Sequence, residues 1–250
     1  MPESRLGKPS VAVLTSGGLD SAVLTVDLTR EYSRVFPIYV RCGLFWEETE
    51  LAAARAFLRA IEAPGLVPLT ALDEPIGDVY GPHWSTSGDG VPGAESPDDA
   101  VYLPGRNVLL TVKAAVWCRL RKIDYLALGS LGSNPFPDST PEFFADLESV
   151  LARALNGAPG LLRPFGHLSK REVVLKGANL PLHLTCSCIF PTQGKHCGTC
   201  NKCAERQKGF RSAGMPDRTE YASGPAPQDG RSGVPLASSP SSGALPTCSA

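Results

Sequence analysis

One turn constrains this chain more than anything else in it. The apolar run Val11 to Leu14 is followed almost at once by Ser16-Gly17-Gly18-Leu19-Asp20-Ser21, and then by a helical stretch from Ser21 to Arg30. A buried strand that passes through paired glycines into a helix is a unit of an alternating α/β fold. The glycines let the backbone approach an anion, and the helix N terminus offers unpaired N–H groups and a favourable dipole. Ser16 and Ser21 add hydroxyl donors. The turn is a phosphate cradle by chemistry, but it lacks the Gly-Lys-Ser/Thr of the common P-loop. Asp20 would repel phosphate unless it capped the helix or held a Mg²⁺ ion shared with the phosphates. A glycine turn merely capped by Asp and Ser is the plainer alternative.

The alternation continues downstream. Val35 to Val40 predicts a second strand, Glu47 to Ala60 a helix, and Leu66 to Leu72 a third strand, which together imply a doubly wound parallel sheet. Residues 73–100 break the pattern; they are rich in Pro, Gly, Ser and Asp, and read as either a lid over a site or a floppy insertion. A helix from Asn107 to Arg121, a strand from Tyr125 to Leu128 and a helix from Pro141 to Leu155 follow. Ser169 with Glu172 has the spacing of a capping box, which predicts another helix start. The organisation expected is an α/β domain over 8–180, a cysteine element over 181–214, and a disordered tail over 215–250 dominated by Gly, Pro, Ala and Ser.

The cysteines supply the second strong signal. Of eight in the 250 residues, five lie between Cys186 and Cys203. The N-terminal residues lack the pattern of a secretory signal, and no apolar run reaches the length of a membrane span, so the expected location is cytoplasmic and the crowding reads as metal ligation. Cys188, Cys197, Cys200 and Cys203 have the spacing C-x8-C-x2-C-x2-C, which suits tetrahedral Zn²⁺. Cys186 competes for the first place, with His183 and His196 as weaker candidates. An iron–sulfur cluster fits less well, because no further cysteine followed by proline lies just beyond Cys203. The 24 Lys+Arg against 25 Asp+Glu leave a formal charge of −1, which argues against stable nucleic-acid binding as the main task.

SGGLDS after an apolar strand resembles the pyrophosphate-binding motif of the ATP-pyrophosphatase (PP-loop) superfamily, whose fold is adenine nucleotide alpha-hydrolase-like. Further segments narrow the resemblance. YLPGRN (Tyr102 to Asn107), PDSTPEFF (Pro137 to Phe144), SKREVVLKG (Ser169 to Gly177), and TCSC with CGTCNKCAER are similar, in order, to elements of the 7-cyano-7-deazaguanine synthase family. That resemblance implies an ATP-dependent ligase of queuosine precursor biosynthesis. It would adenylate a 7-carboxy-7-deazaguanine-like carboxylate and form an amide and then a nitrile with ammonia.

Carried onto this chain, the resemblance makes Lys170, Asp20 and Ser16 the candidate catalytic residues. Ser16, Gly17, Gly18, Asp20, Ser21, Arg106 and Asn107 would hold ATP and Mg²⁺, and Asp138 and Glu142 would read the substrate's donor edge. A homodimer is implied by the resemblance alone. The chain also departs from the family: GSLGSNPFPD replaces a longer Asp-Tyr-Ser-Gly-Tyr-Pro segment, Ser139 and Thr140 stand where Cys and Arg are usual, and Cys186 stands where Trp is usual. Two other readings remain open, a PP-loop tRNA thiolation enzyme and a non-catalytic nucleotide-binding zinc module.

Overall fold

The computed structural model describes residues 7–222. Five strands form one parallel sheet in the order β3-β2-β1-β4-β5, with β1 Ser10–Leu14, β2 Arg34–Arg41, β3 Thr70–Asp73, β4 Tyr125–Ala127 and β5 Gly160–Leu162. β1 is central, with Val11 opposite Val35 on one side and Tyr125 on the other. A strand covered on both faces needs apolar residues at every position, and Val11, Ala12 and Val13 are wholly buried. Their alternation divides the core in two. Ala12, Ile38 and Leu126 enter the cluster on one face, while Val11, Val13, Val35 and Ala127 enter the cluster on the other.

Helices α1 Leu19–Glu31 and α2 Glu47–Ala60 follow the first two strands. Expected and observed bounds of α2 coincide, and α1 begins two residues before Ser21, within the glycine turn itself. The third strand is shorter than Leu66 to Leu72. Leu66 makes only an isolated bridge to Val35, because Pro68 has no N–H for a ladder, and regular pairing starts at Thr70.

Residues 73–100 carry secondary structure of their own. They hold two short helices, α3 Gly77–Tyr80 and α4 Trp84–Ser87, and a 3₁₀ turn begins at Asp98. Ile76 is buried in the core and Trp84 stacks on Trp46. Beyond them lie α5 Arg106–Leu120, α6 Pro141–Ala154, α7 Lys170–Lys176 and α8 Asn201–Ala213. Asn201 ties the 73–100 strap to the cysteine element by donating from its backbone N to the Pro92 carbonyl (2.9 Å) and from Nδ2 to the Ser96 carbonyl (2.9 Å).

The cysteine element is continuous with the main core. Cys186, Cys188, Ile189, Cys197, Cys200 and Cys203 belong to the same buried cluster as β2 and α5. The expected disorder from residue 215 onward is corrected as far as the described residues go. Arg206 Nε donates to Thr219 Oγ1 (2.8 Å), Tyr221 lies edge-on to His196, and Ala222 N donates to the His196 carbonyl (2.7 Å). A buried guanidinium and a buried imidazole ring fasten this segment; the remainder of the expected tail, 223–250, lies outside the described residues. Among the described residues, no helix is long and apolar enough to cross a membrane.

Candidate active site

The strand order reverses between β1 and β4, since β2 and β3 build outward on one side and β5 on the other. In open parallel sheets a crevice forms at the carboxyl ends of the strands at such a point. The turn at residues 15–18 leaves β1 there, and Gly129 follows β4. Gly17 adopts φ +77°, and a Cβ on it would sit 2.4 Å from the Glu50 carbonyl oxygen, so both conformation and space demand glycine. A Cβ on Gly129 would meet the Ser21 backbone N at 3.2 Å, so glycine there lets the β4 loop approach the first turn of α1 closely.

No side chain caps α1, whose N-cap is Gly18. The turn is braced from within: Ser21 Oγ accepts from Ser16 N (3.2 Å), lies 3.2 Å from Ser16 Oγ, and donates to the Gly18 carbonyl (3.1 Å). Both hydroxyls therefore border an N terminus without a side-chain cap, the arrangement that receives phosphate oxygens.

Across this opening lies Lys170, brought from 150 residues away by the start of α7. The capping box is formed: Ser169 Oγ accepts from Glu172 N, and Glu172 Oε2 accepts from Ser169 N (2.8 Å). That fixes the first turn, and Lys170 Nζ donates to Asp20 Oδ2 at 2.5 Å. The other oxygen, Asp20 Oδ1, is buried with no hydrogen-bond partner. A buried carboxylate oxygen left open is costly unless a cation or donor meets it, so Asp20 fits the place expected for a Mg²⁺ ligand.

Lys170 Nζ has a second carboxylate, Glu205 of α8, at 2.8 Å, and Glu205 is also held by Lys202 at 2.7 Å. Burial pulls the Lys170 ammonium down, but Asp20 and Glu205 outweigh it and raise its pKa above the ordinary lysine value. Burial likewise pushes Glu205 up, and Lys170 and Lys202 outweigh it, leaving the carboxyl at about 2. Glu205 was not among the residues singled out from the sequence. It lies inside the CGTCNKCAER segment, but that segment is read for its cysteines alone, and only the packing of α8 against α7 brings Glu205 to Lys170.

The remaining site residues divide. Arg106 opens α5 beside Gly105, and its Nε is buried without a partner. Its charge faces Glu50, Tyr39 and Asp138. Glu50 is a second residue that sequence reasoning missed. Burial pushes its carboxyl up to about 7, opposed by Arg106 and by the hydrogen bond from Tyr39 Oη at 3.0 Å. Asn107 and Asp138 are brought together. Asp138 Oδ2 accepts from Asn107 N (3.1 Å) and Oδ1 from Asn107 Nδ2 (3.2 Å), and burial raises the Asp138 pKa. Glu142 is exposed in the first turn of α6, with Arg163 as a charge neighbour.

The cysteine site is compact. The Sγ atoms of Cys188, Cys197, Cys200 and Cys203 all lie within 4.8 Å of one another, and all four residues are buried. Cys188 Sγ accepts from Phe190 N (3.3 Å) and Cys197 N (3.2 Å), and Cys197 Sγ accepts from Thr199 N (3.4 Å) and Cys200 N (3.3 Å). Backbone donors aimed at sulfur stabilise thiolates, and four convergent thiolates suit tetrahedral Zn²⁺. Cys186 stands outside the group with Sγ toward the Cys188 carbonyl, its thiol pushed up to about 12 chiefly by burial. His196 Nε2 accepts from Ser187 N (3.0 Å), and His183 is exposed.

The family model for "Queuosine biosynthesis protein QueC" matches residues 10–214. A 7-cyano-7-deazaguanine synthase of Methanothrix thermoacetophila is 31% identical over 231 residues, covering 83% of this chain and 96% of that protein. Another, of Thiobacillus denitrificans, is 31% identical over 229 residues, covering 86% and 99%. Among solved structures, a 4-thiouridine synthetase in complex with RNA and ATP is similar with a TM-score of 0.44 at 16% identity, covering 82% of this chain and 50% of that one, too distant to bear on function. With the match running from the first strand to the end of α8, and with full-length relatives bearing one name, the chain belongs to the QueC family of queuosine biosynthesis proteins.

Proposed function

We propose that the chain is an ATP-dependent carbon–nitrogen ligase, forming AMP and pyrophosphate, that converts a 7-carboxy-7-deazaguanine-like acid to the amide and then to the nitrile with ammonia. The observation that carries this reading is Lys170 Nζ held on Asp20 at 2.5 Å beside the α1 N terminus. A cation, an anion-binding helix end and a carboxylate with one open oxygen are the three parts that a pyrophosphate-releasing site needs.

In this reading, a substrate carboxylate oxygen attacks the α-phosphorus of ATP and pyrophosphate leaves. Ser16, Ser21 and the N–H groups of the Gly17-Gly18 turn hold the leaving group. Lys170 neutralises the charge growing on the α-phosphate. Asp20 is the residue that would hold Mg²⁺, which would supply positive charge to the leaving pyrophosphate. Ammonia then attacks the acyl carbon, a proton is lost and AMP departs. The amide oxygen attacks the α-phosphorus of a second ATP with release of a second pyrophosphate, and loss of AMP with both amide protons leaves the C≡N bond. Arg106, whose charge acts on Glu50 and Asp138, is the group proposed to contact nucleotide or substrate. Asp138 is the acceptor proposed for the guanine-like edge. Asn107 fixes the carboxylate by one bond to each oxygen, from its backbone N and from Nδ2, and each oxygen keeps a lone pair for the substrate's N–H groups. Glu142, being exposed, is the weaker choice of the two.

The test is turnover of Mg-ATP with ammonium and 7-carboxy-7-deazaguanine, with products read by mass spectrometry. AMP with the nitrile is expected. Amide without nitrile would make the chain an amide synthetase, and ADP, or no AMP above background, would overturn the adenylation reading.

A further inference from the structure

Lys170 is shared. Its ammonium lies between Asp20 on the phosphate turn and Glu205 on α8, and Glu205 is in turn fastened by Lys202. The four charges form a chain Asp20–Lys170–Glu205–Lys202 that runs from the first helix of the sheet domain to the helix that leaves the cysteine site. α8 is rigidly placed: Cys200 is its N-cap, Cys203 lies in its first turn, and Arg206 is buried, donating to the Thr185 side chain (2.8 Å) and the Leu182 carbonyl (2.7 Å). The Gly209 backbone also packs on the Lys170 stem, where an added Cβ would come within 2.7 Å of Lys170 Cγ. Thus α8 touches Lys170 twice, along its stem and at its ammonium.

We propose that Glu205 is the positioning residue of the catalytic lysine, the carboxylate that keeps Lys170 aimed when Asp20 is given over to the metal of a metal–nucleotide complex. The inference rests on the proposed reading of the Asp20 site. Asp20 has one oxygen open and one taken by Lys170. Asp20 has its open oxygen for a divalent cation and Lys170 one remaining N–H for phosphate, but each new partner draws charge away from the ion pair between them and weakens it. A lysine with one partner would compete with the cation for Asp20 and, once released, would be free to swing on a long stem. Glu205 removes both difficulties, because the ammonium keeps a charge-assisted bond throughout. The cysteine site thereby acquires a task beyond holding the fold, since it sets the helix from which Glu205 reaches.

The experiment uses the full-length zinc-loaded protein and Mn²⁺ with a non-hydrolysable ATP analogue, measured by calorimetry, for wild type, Glu205→Gln and Glu205→Asp. Loss of one charge-assisted bond predicts about tenfold weaker binding of the Mn²⁺–nucleotide by Glu205→Gln and partial recovery by Glu205→Asp. In AMP formation, kcat should fall together with a raised KM for the metal–nucleotide. Zinc content should stay at wild type, because the four thiols are untouched, while the melting temperature should fall for either role, because Lys170 and Lys202 hold the Glu205 carboxyl low and its charge stabilises the fold. A merely structural role would leave the affinity of the folded protein unchanged. Removing an anion near phosphate could also tighten binding. Unchanged or tighter binding by Glu205→Gln overturns the proposal while leaving the adenylation reading intact. No binding by wild type overturns both.

Discussion

Asp20 and Glu50 are two acids in the same region with opposite demands. Asp20 holds Lys170 with one oxygen and leaves the other open, so Asp20→Asn, which keeps shape but loses charge, should abolish AMP formation in a protein that still folds. Full turnover by the variant would remove the metal role of Asp20. Glu50 is instead a buried carboxyl that favours its proton, with a pKa pushed from 4.5 to about 7. A carboxyl raised on folding binds more protons in the native state than in the unfolded one between those values. Stability should therefore fall as pH rises from about 4.5 to 7 and level off above. The span is worth on the order of 3 kcal/mol. Glu50→Gln should flatten that slope in denaturant titrations across pH 5 to 8, and an unaltered slope would assign the dependence to another group.

At the scale of elements, α7 and α8 are anchored by different chemistry. The α7 start depends on the Ser169–Glu172 box, so Ser169→Ala should cost about 1 kcal/mol and loosen Lys170, visible as a raised KM for ATP. The α8 start depends on the thiol site. Cys203→Ser should release zinc and lower the melting temperature, whereas Cys186→Ser should retain zinc because its sulfur stands outside the group. Elemental analysis decides both, and iron in place of zinc, or zinc kept by Cys203→Ser, would contradict the assignment. The capping box was legible because its two residues are three apart. α8 was not, because the side it buries is largely polar: Asn201, Arg206 and Gln207 are buried beside Cys203 and Phe210, and no apolar stripe marks it.

At the scale of the whole molecule, the cysteine element is joined to the core and ties both the 73–100 strap and residues 215–222 to it. Asn201 holds the strap and Arg206 holds Thr219. A chain ended at Gly214 would leave the buried Arg206 guanidinium without Thr219 and Asp217, and would uncover His196 from Tyr221. It should therefore melt several degrees below a chain ended at Ala222, on the order of 1–3 kcal/mol for an unsatisfied buried donor. Equal melting of the two truncations would show that residues 215–222 add nothing to the fold.

What local sequence determined here is what local chemistry alone can specify. The SGGLDS turn, the apolar β1 run, the helical period of α2, the Ser169 box and the C-x2-C-x2-C spacing each act within a few residues, where backbone geometry leaves few choices. β5, only three half-buried residues long, and the Pro68-shortened β3 were decided by pairing with neighbours distant in sequence. The same holds within the site. Asp20 and Lys170 were each legible from a motif, but their 2.5 Å contact, the arrival of Glu205 and the burial of Glu50 depend on strand order and on the packing of α8 against α7. Desolvation and ion pairing are set by what surrounds a side chain in space, and a linear pattern carries no record of the residue that will stand opposite.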